Sequence, residues 1–216
     1  MRIGLDHEPW LARVRINAAV LNLSENVRLL QTETPRLRVE RQSHVHAFGN
    51  PHYWLDPENA KAMVISISRS LGKLIPADRA YFDANRDIFI RQVDERMVVW
   101  KKALAPYAGT KIVVVHDTWT YFADRFNLSI VAAAEATPGV PPSPVELAEL
   151  YSRMRDAKVR LVVADPNANH SLVRQMADHG NAKIVALVPS VGADPEARDY
   201  LSLIDLNVDR LVKALR

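Results

Sequence analysis

Residues 111–117 read Lys-Ile-Val-Val-Val-His-Asp, and this stretch indicates the fold class. Four β-branched residues in a row are typical of a strand that is buried on both faces, as the strands of parallel sheets are. Further strands are predicted along the chain at 128–133, 160–164 and 182–188. Helices are predicted between and after them, at 118–126, 144–157, 169–179 and 198–215. This alternation predicts an α/β fold, with a parallel sheet covered by helices on both faces.

The segment upstream contains two long predicted helices. Asp56 and Pro57 have the residue types of an N-cap and a first helical position, so a helix is predicted from Pro57 to about Leu74. Residues 77–105 contain neither Gly nor Pro, and their apolar side chains recur at steps of three or four. That pattern predicts a helical rod of roughly 40 Å. The remaining upstream predictions are a short helix after Pro9 and two short strands, at 27–30 and 37–39.

The composition excludes several classes of protein. The chain has 216 residues, a net charge of +3 and 48% hydrophobic residues, which is typical of a globular protein. Cysteine is absent, which excludes a disulfide scaffold, a thiolate zinc site, an iron–sulfur cluster and a cysteine nucleophile. The 28 basic and 25 acidic residues are interspersed, so we expect no nucleic-acid partner. No apolar stretch approaches about 18 residues, so we expect no membrane span in this chain.

Polar side chains follow three of the predicted strands. They are His116, Asp165 and Ser190. Because ligands of open α/β sheets bind outside the carboxyl ends of the strands, these residues are predicted to line one crevice. In the alternative interpretation, an aspartate at such a position caps the following helix and contacts no ligand.

Histidines are concentrated on one predicted loop. His44, His46 and His52 lie within nine residues, and neutral imidazole is the commonest metal ligand in proteins. His52 stands between Pro51 and Tyr53, directly before a capped helix, and a constrained backbone of this kind suits a rigid ligand. His44 and His46 are either solvated residues or part of a flexible metal-collecting loop.

Several motifs resemble those of the zinc and manganese solute-binding proteins that serve ABC transporters. Residues 50–57, Asn-Pro-His-Tyr-Trp-Leu-Asp-Pro, resemble the family motif D-P-H-x-W-L-D-P. Residues 4–11 look like the family's N-G-x-x-x-E-x-W-L segment, and residues 116–122 look like its H-x-x-x-x-Y-F motif. Further matches follow in the expected order at 139–144, 199–201 and Asn207. The resemblance therefore covers essentially the whole chain.

The resemblance implies two α/β lobes joined by one long rigid helix, with a metal site in the cleft between the lobes. Residues 1–75 would be the remainder of the N-terminal lobe, 76–106 the linking helix and 107–216 the C-terminal lobe. His52 would be a ligand from the first lobe and His116 one from the second. Imidazole ligands favour Zn²⁺, whereas more oxygen ligands would favour Mn²⁺.

The resemblance also implies a function. The protein would be a non-enzymatic transport component, in the periplasm or another extracytoplasmic compartment, that captures a divalent metal. Its partner would be the membrane permease of an ABC transporter.

The sequence departs from the family pattern in two places. The chain begins at the segment that follows the family's first ligand histidine, so we expect a truncation that removes this ligand and the signal peptide. The family's last ligand, an aspartate, has no counterpart directly after Val188, and Asp194 is the candidate replacement. Asp165 is expected to orient or balance the site. Water, a carboxylate, or one of the two loop histidines, His44 and His46, would complete the metal shell.

Two alternative functions stay open at this point. The first is a zinc-dependent hydrolase in which His52, His116 and Asp165 surround a metal-activated water. The second is a binding protein for a non-metal ligand in the same cleft. Transport is favoured over hydrolysis because no residue has an evident general-base role and the motif series belongs to metal carriers.

Overall fold

The computed structural model describes residues 1–5, 8–15, 17–30, 49–135 and 140–216. The described residues form two compact units. The first contains the described residues up to Val98, and the second runs from Val99 to Arg216. None of the described helices has the length and hydropathy needed to cross a membrane.

The regular structure of the first unit is helical. Short 3₁₀ turns at Pro9–Arg13, Leu23–Asn26 and Tyr53–Leu55 precede helix α1, which spans Pro57–Leu74. Helix α1 begins at the predicted residue, because the Asp56 carboxylate accepts the Glu58 N–H at 2.9 Å. The helix predicted after Pro9 is only a five-residue 3₁₀ turn.

The strand predicted at 27–30 is wrong. This segment has no regular structure. The side chain of Asn59 on α1 binds the backbone of Arg28 instead: its Oδ1 accepts the Arg28 N–H at 2.8 Å and its Nδ2 donates to the Arg28 carbonyl at 3.0 Å. These backbone groups are therefore satisfied by an amide side chain rather than by a neighbouring strand. The second candidate strand, 37–39, lies outside the described residues.

Helix α2 spans Arg79–Leu104 and confirms the predicted rod. It has 26 residues, which corresponds to about 39 Å, and 3₁₀ turns flank it at Pro76–Asp78 and Ala105–Tyr107. The boundary between the two units falls inside α2. Two of the recurring apolar side chains along its first half, Tyr81 and Ile88, are exposed rather than buried.

The second unit is built on a four-stranded parallel sheet in the order β2-β1-β3-β4. Its strands are β1 (Lys111–Val114), β2 (Ser129–Ala133), β3 (Leu161–Ala164) and β4 (Lys183–Ala186). Its later helices are α3 (Thr120–Arg125), α4 (Pro144–Ala157), α5 (His170–Gly180) and α6 (Tyr200–Leu215). The predicted α/β alternation is confirmed, with ends shifted by up to two residues once the 3₁₀ turn Asp117–Trp119 is counted with α3.

The core of the second unit lies on the sheet. Val113 and Val162, from the two central strands, are fully buried together with Met154 of α4 and Met176 of α5. Helix α4 begins at Pro144 as predicted, with a capping box between Ser143 and Glu146. Because the strands are parallel, their carboxyl ends lie along one edge of the sheet. His116 and Asp165 follow β1 and β3 at this edge.

Candidate metal centre

His52 lies directly before the 3₁₀ turn that leads into α1 and is oriented by Asn50. The Asn50 Oδ1 atom accepts the backbone N–H of His52 at 2.8 Å and lies 2.9 Å from His52 Nδ1. Because Oδ1 is the acceptor for a backbone N–H, Nδ1 must carry a proton to bind it as well. The neutral ring then has its lone pair on Nε2, which is the form in which histidine binds a metal. Asn50 is fully buried, so this support is rigid.

The turn that carries His52 is attached to the first residues of the chain. The hydroxyl of the buried Tyr53 donates to the Ile3 carbonyl at 2.6 Å, and Asn59 Nδ2 donates to the Tyr53 carbonyl at 3.2 Å. Glu8 accepts the N–H groups of Ile3 and Gly4 at 2.9 and 3.0 Å. Tyr53, which directly follows His52, is therefore anchored both to α1 through Asn59 and to the start of the chain through Ile3.

His116 follows β1 at the carboxyl edge of the sheet in the second unit. Its backbone is extended, and its side chain is 20% exposed. Its Nε2 atom lies 3.3 Å from Oδ1 of the buried Asp117, so an imidazole nitrogen and a carboxylate oxygen stand side by side. Asp117 was not among the candidate ligands predicted from the sequence. The signal that was available is its position directly after His116.

Asp165 follows β3, the strand that pairs with β1, so the topology brings Asp165 to the same sheet edge as His116. Asp165 Oδ1 accepts the indole N–H of the buried Trp119 at 2.9 Å. Burial raises the pKa of the Asp165 carboxyl, and the hydrogen bond from Trp119 and the charge of His116 oppose this rise. A cation bound at this edge would stabilise the ionised form of such a carboxyl.

The other sequence-predicted residues have different settings. Asp194 is held by Arg210, whose Nη2 lies 2.6 Å from Asp194 Oδ2, and by the Glu196 N–H, which donates to Oδ1 at 2.9 Å. These contacts hold the pKa of Asp194 below its ordinary value, the Glu196 N–H contributing most. The Ser190 carbonyl accepts the Ala193 N–H in a turn after β4. The two loop histidines, His44 and His46, lie outside the described residues.

Comparisons with known proteins identify the family of the chain. The model of a family described as "Zinc-uptake complex component A periplasmic" matches residues 1–214. The chain belongs to this family. The resemblance drawn from the motifs is thereby confirmed, and the family description places its members in the periplasm.

Individual relatives are distant. The "High-affinity zinc uptake system protein ZnuA" of Brucella abortus (strain 2308) is 24% identical over 165 residues, which are 76% of this chain and 48% of that protein. The "Zinc-binding lipoprotein AdcA" of Streptococcus pneumoniae (strain ATCC BAA-255 / R6) is 25% identical over 174 residues, 79% of this chain and 34% of that protein. The chain thus spans about half or less of the length of these curated relatives.

Solved structures share the fold. A crystal structure of ZnuA matches 99% of this chain and 78% of its own with a TM-score of 0.81 and 23% identity. The solute-binding protein FpvC of P. aeruginosa, in complex with Ni²⁺, matches 99% of this chain and 76% of its own with a TM-score of 0.81 and 20% identity. The predicted fold class, α/β with a parallel sheet and one long helix, is confirmed.

Proposed function

We propose that this chain captures a divalent transition metal, Zn²⁺ in preference to Mn²⁺, and delivers it to the membrane permease of an ABC transporter. The observation that carries the proposal is the family match over residues 1–214, because that family is described as a zinc-uptake component. The names of two relatives, ZnuA and AdcA, also specify zinc. The protein would work outside the cytoplasm, as the family description states for its members.

His52 and His116 supply the nitrogen ligands in this proposal. The support comes from each unit separately: Asn50 leaves the lone pair of His52 on Nε2, and His116 stands at the sheet edge beside Asp117. Imidazole nitrogens suit zinc, and one carboxylate oxygen from Asp117 or Asp165 would add a third ligand. A catalytic or transport zinc site needs at least three protein ligands when water takes the fourth position.

The remaining candidates are less suited to the metal. At Asp194 a metal ion would have to displace the Arg210 guanidinium from a 2.6 Å ion pair. His44 and His46 stay predictions from sequence.

Metal-dependent thermal unfolding tests the proposal. The chain is stripped with a chelator and melted with Zn²⁺ or Mn²⁺ at matched free concentrations. A metal that binds only the folded chain adds about 2.7 kcal/mol of stability at a hundredfold excess over Kd. We expect a larger rise with zinc, its loss in H52A and H116A, and its retention in H170A, which replaces an exposed histidine of α5.

The double variant distinguishes one shared ion from two separate ones. If both histidines bind the same ion, each single replacement removes most of the metal-dependent rise, and H52A/H116A removes little more. A rise that survives in the double variant would locate the metal elsewhere. No rise with either metal would contradict metal capture by this chain.

We infer that the protein is a carrier rather than a zinc-dependent hydrolase. The family that matches residues 1–214 is described as a zinc-uptake component, which is a transport role. We therefore expect no zinc-dependent hydrolysis of activated ester or phosphoester substrates. Hydrolysis that follows bound zinc and disappears in H116A would contradict the carrier assignment. Delivery is tested separately, by the stimulation of ATP hydrolysis when the zinc-loaded chain is added to a reconstituted zinc permease.

A further inference from the structure

The turn between α1 and α2 combines exposed aliphatic side chains with a cationic cavity. Leu74 and Ile75, at the end of α1, are 63% and 46% exposed. A cavity of about 250 Å³ lies in the same region of the unit. Four cationic side chains line it: Arg69, Lys73, Arg79 and Arg86. We call residues 69–79 the tip.

The cations of the tip converge because of how the two helices are built. Arg69 and Lys73 are four residues apart on α1, so they lie on the same face. Arg79 reaches them from the start of α2, across Gly72. A Cβ atom at Gly72 would lie 3.2 Å from Cγ of Arg79, so the absence of a side chain there allows the arginine stem to pack closely against α1.

The carboxylates near the cavity do not neutralise it. Asp83 also lines the cavity, and it accepts hydrogen bonds from Arg86 at 2.6 Å and from Ser68 at 2.9 Å. Asp78 lies in the 3₁₀ turn and does not line the cavity. A third carboxylate, Asp87, pairs with Arg86, its Oδ1 lying 2.9 Å from Arg86 Nε. The four cations and three carboxylates together give the region a charge of +1. Asp83 and Asp87 both pair with Arg86, and Asp83 Oδ2 also lies 3.7 Å from Arg79 Nε. The net positive charge therefore comes from the tip, where residues 69–79 contain three cations and one carboxylate.

We propose that the tip docks onto an anionic phospholipid surface, with a headgroup phosphate in the cationic cavity and with Leu74 and Ile75 in the interfacial layer. Cationic side chains beside exposed aliphatic ones are the combination that binds anionic membrane surfaces. A free phosphate ion would need only the cavity, whereas a lipid surface also accounts for the two exposed aliphatic residues.

The position of the tip is compatible with metal capture. Helix α1 has 18 residues, so its last residue, in the tip, lies about 27 Å from its first residue. His52 is close in sequence to that first residue, at the opposite end of the helix from the tip. Docking therefore leaves the proposed ligand of this unit accessible. The inference does not depend on the proposed function, because lipid binding can be measured without metal.

Co-sedimentation with vesicles tests the inference, with the chain both metal-free and zinc-loaded. The vesicles are phosphatidylglycerol mixed with phosphatidylcholine, or phosphatidylcholine alone. We expect binding to the anionic vesicles only, and weaker binding as salt increases. The variant R69Q/K73Q/R79Q should bind on the order of 100-fold more weakly, from about fivefold per cation. L74S/I75S should remove the part of the binding that persists at high salt, and D78N should strengthen binding.

A matched control separates the tip from net charge. K101Q/K102Q/R174Q replaces three exposed cations of the other unit, so both triple variants lower the net charge from +3 to 0. The control should bind as the unaltered chain does, and circular dichroism should show that all variants are folded. Equal weakening in both triple variants would overturn the inference. An absence of vesicle binding would also overturn the inference, and an acidic protein partner would then explain the cationic tip. Binding of inorganic phosphate without vesicle binding would overturn it as well.

Discussion

Replacement of Asn207 by leucine tests whether one buried amide fixes the segment that follows β4. Asn207 lies on α6 and is fully buried. Its Oδ1 accepts the Val188 N–H at 2.8 Å, and its Nδ2 donates to the Val188 carbonyl at 2.9 Å. Val188 is itself 0% exposed, so water cannot replace the amide without a local opening of the structure.

The expected magnitude follows from these contacts. N207L leaves one buried N–H and one buried carbonyl without their partner, and each such group costs about 1–3 kcal/mol. Leucine has a similar volume, and its burial offsets about 1–2 kcal/mol of that cost. We therefore expect the free energy of unfolding to fall by about 1–4 kcal/mol.

Urea unfolding measures this loss, and hydrogen exchange locates it. Tryptophan fluorescence follows both units, through the buried Trp100 and Trp119 in the second and through Trp10 and Trp54 in the first. Peptides covering 187–199 should exchange faster in N207L than in the unaltered chain. The control N85L makes the same substitution at an exposed position of α2 and should change little. A loss below about 1 kcal/mol, or an equal loss in N85L, would refute the reasoning.

Two further predictions concern a helix cap and an ion pair. S143A removes the capping box that Ser143 forms with Glu146, so the free energy of unfolding should fall by about 1 kcal/mol in thermal melts; an unchanged melting temperature would contradict this. The Glu196 N–H and the Arg210 guanidinium lower the pKa of Asp194. The stability that this carboxylate contributes is therefore present at neutral pH, and it is lost as the pH falls below about 4 and passes through the lowered pKa. D194N should therefore show a shallower loss of melting temperature on the acid side, and an unaltered acid profile would count against the ion pair.

The second unit could be predicted from sequence because its signals are local. A run of β-branched residues marked β1, and capping residues marked the start of α4 at the observed position. In the first unit, a capping residue marked the start of α1 in the same way. The strand at 27–30 failed because a strand needs a partner, and the partner of Arg28 is a side chain 31 residues away. No local pattern contains that information.

The candidate metal centre was predictable only in part. Motifs identified His52 and His116, and strand ends identified Asp165. The support around them was not predictable, because it joins distant residues: Trp119 and Asp165 are 46 residues apart, and Tyr53 and Ile3 are 50 apart. The sequence signal for Asp117 was its position directly after His116, whereas its burial beside that imidazole is a property of the fold.

Both units use the same device to fix segments that lack a β-ladder. Asn59 pairs with both backbone groups of Arg28, and Asn207 pairs with both backbone groups of Val188. In each case a buried amide on a helix holds a segment that has no regular secondary structure. That segment is therefore fixed by the folded protein and not by a ligand. Asn50 applies the same principle to the side chain of His52, since one amide oxygen sets both its backbone and its tautomer. A ligand that is oriented before the metal arrives loses little conformational freedom on binding. The affinity of the proposed site should therefore depend on the Asn50 amide as well as on the His52 imidazole that it orients.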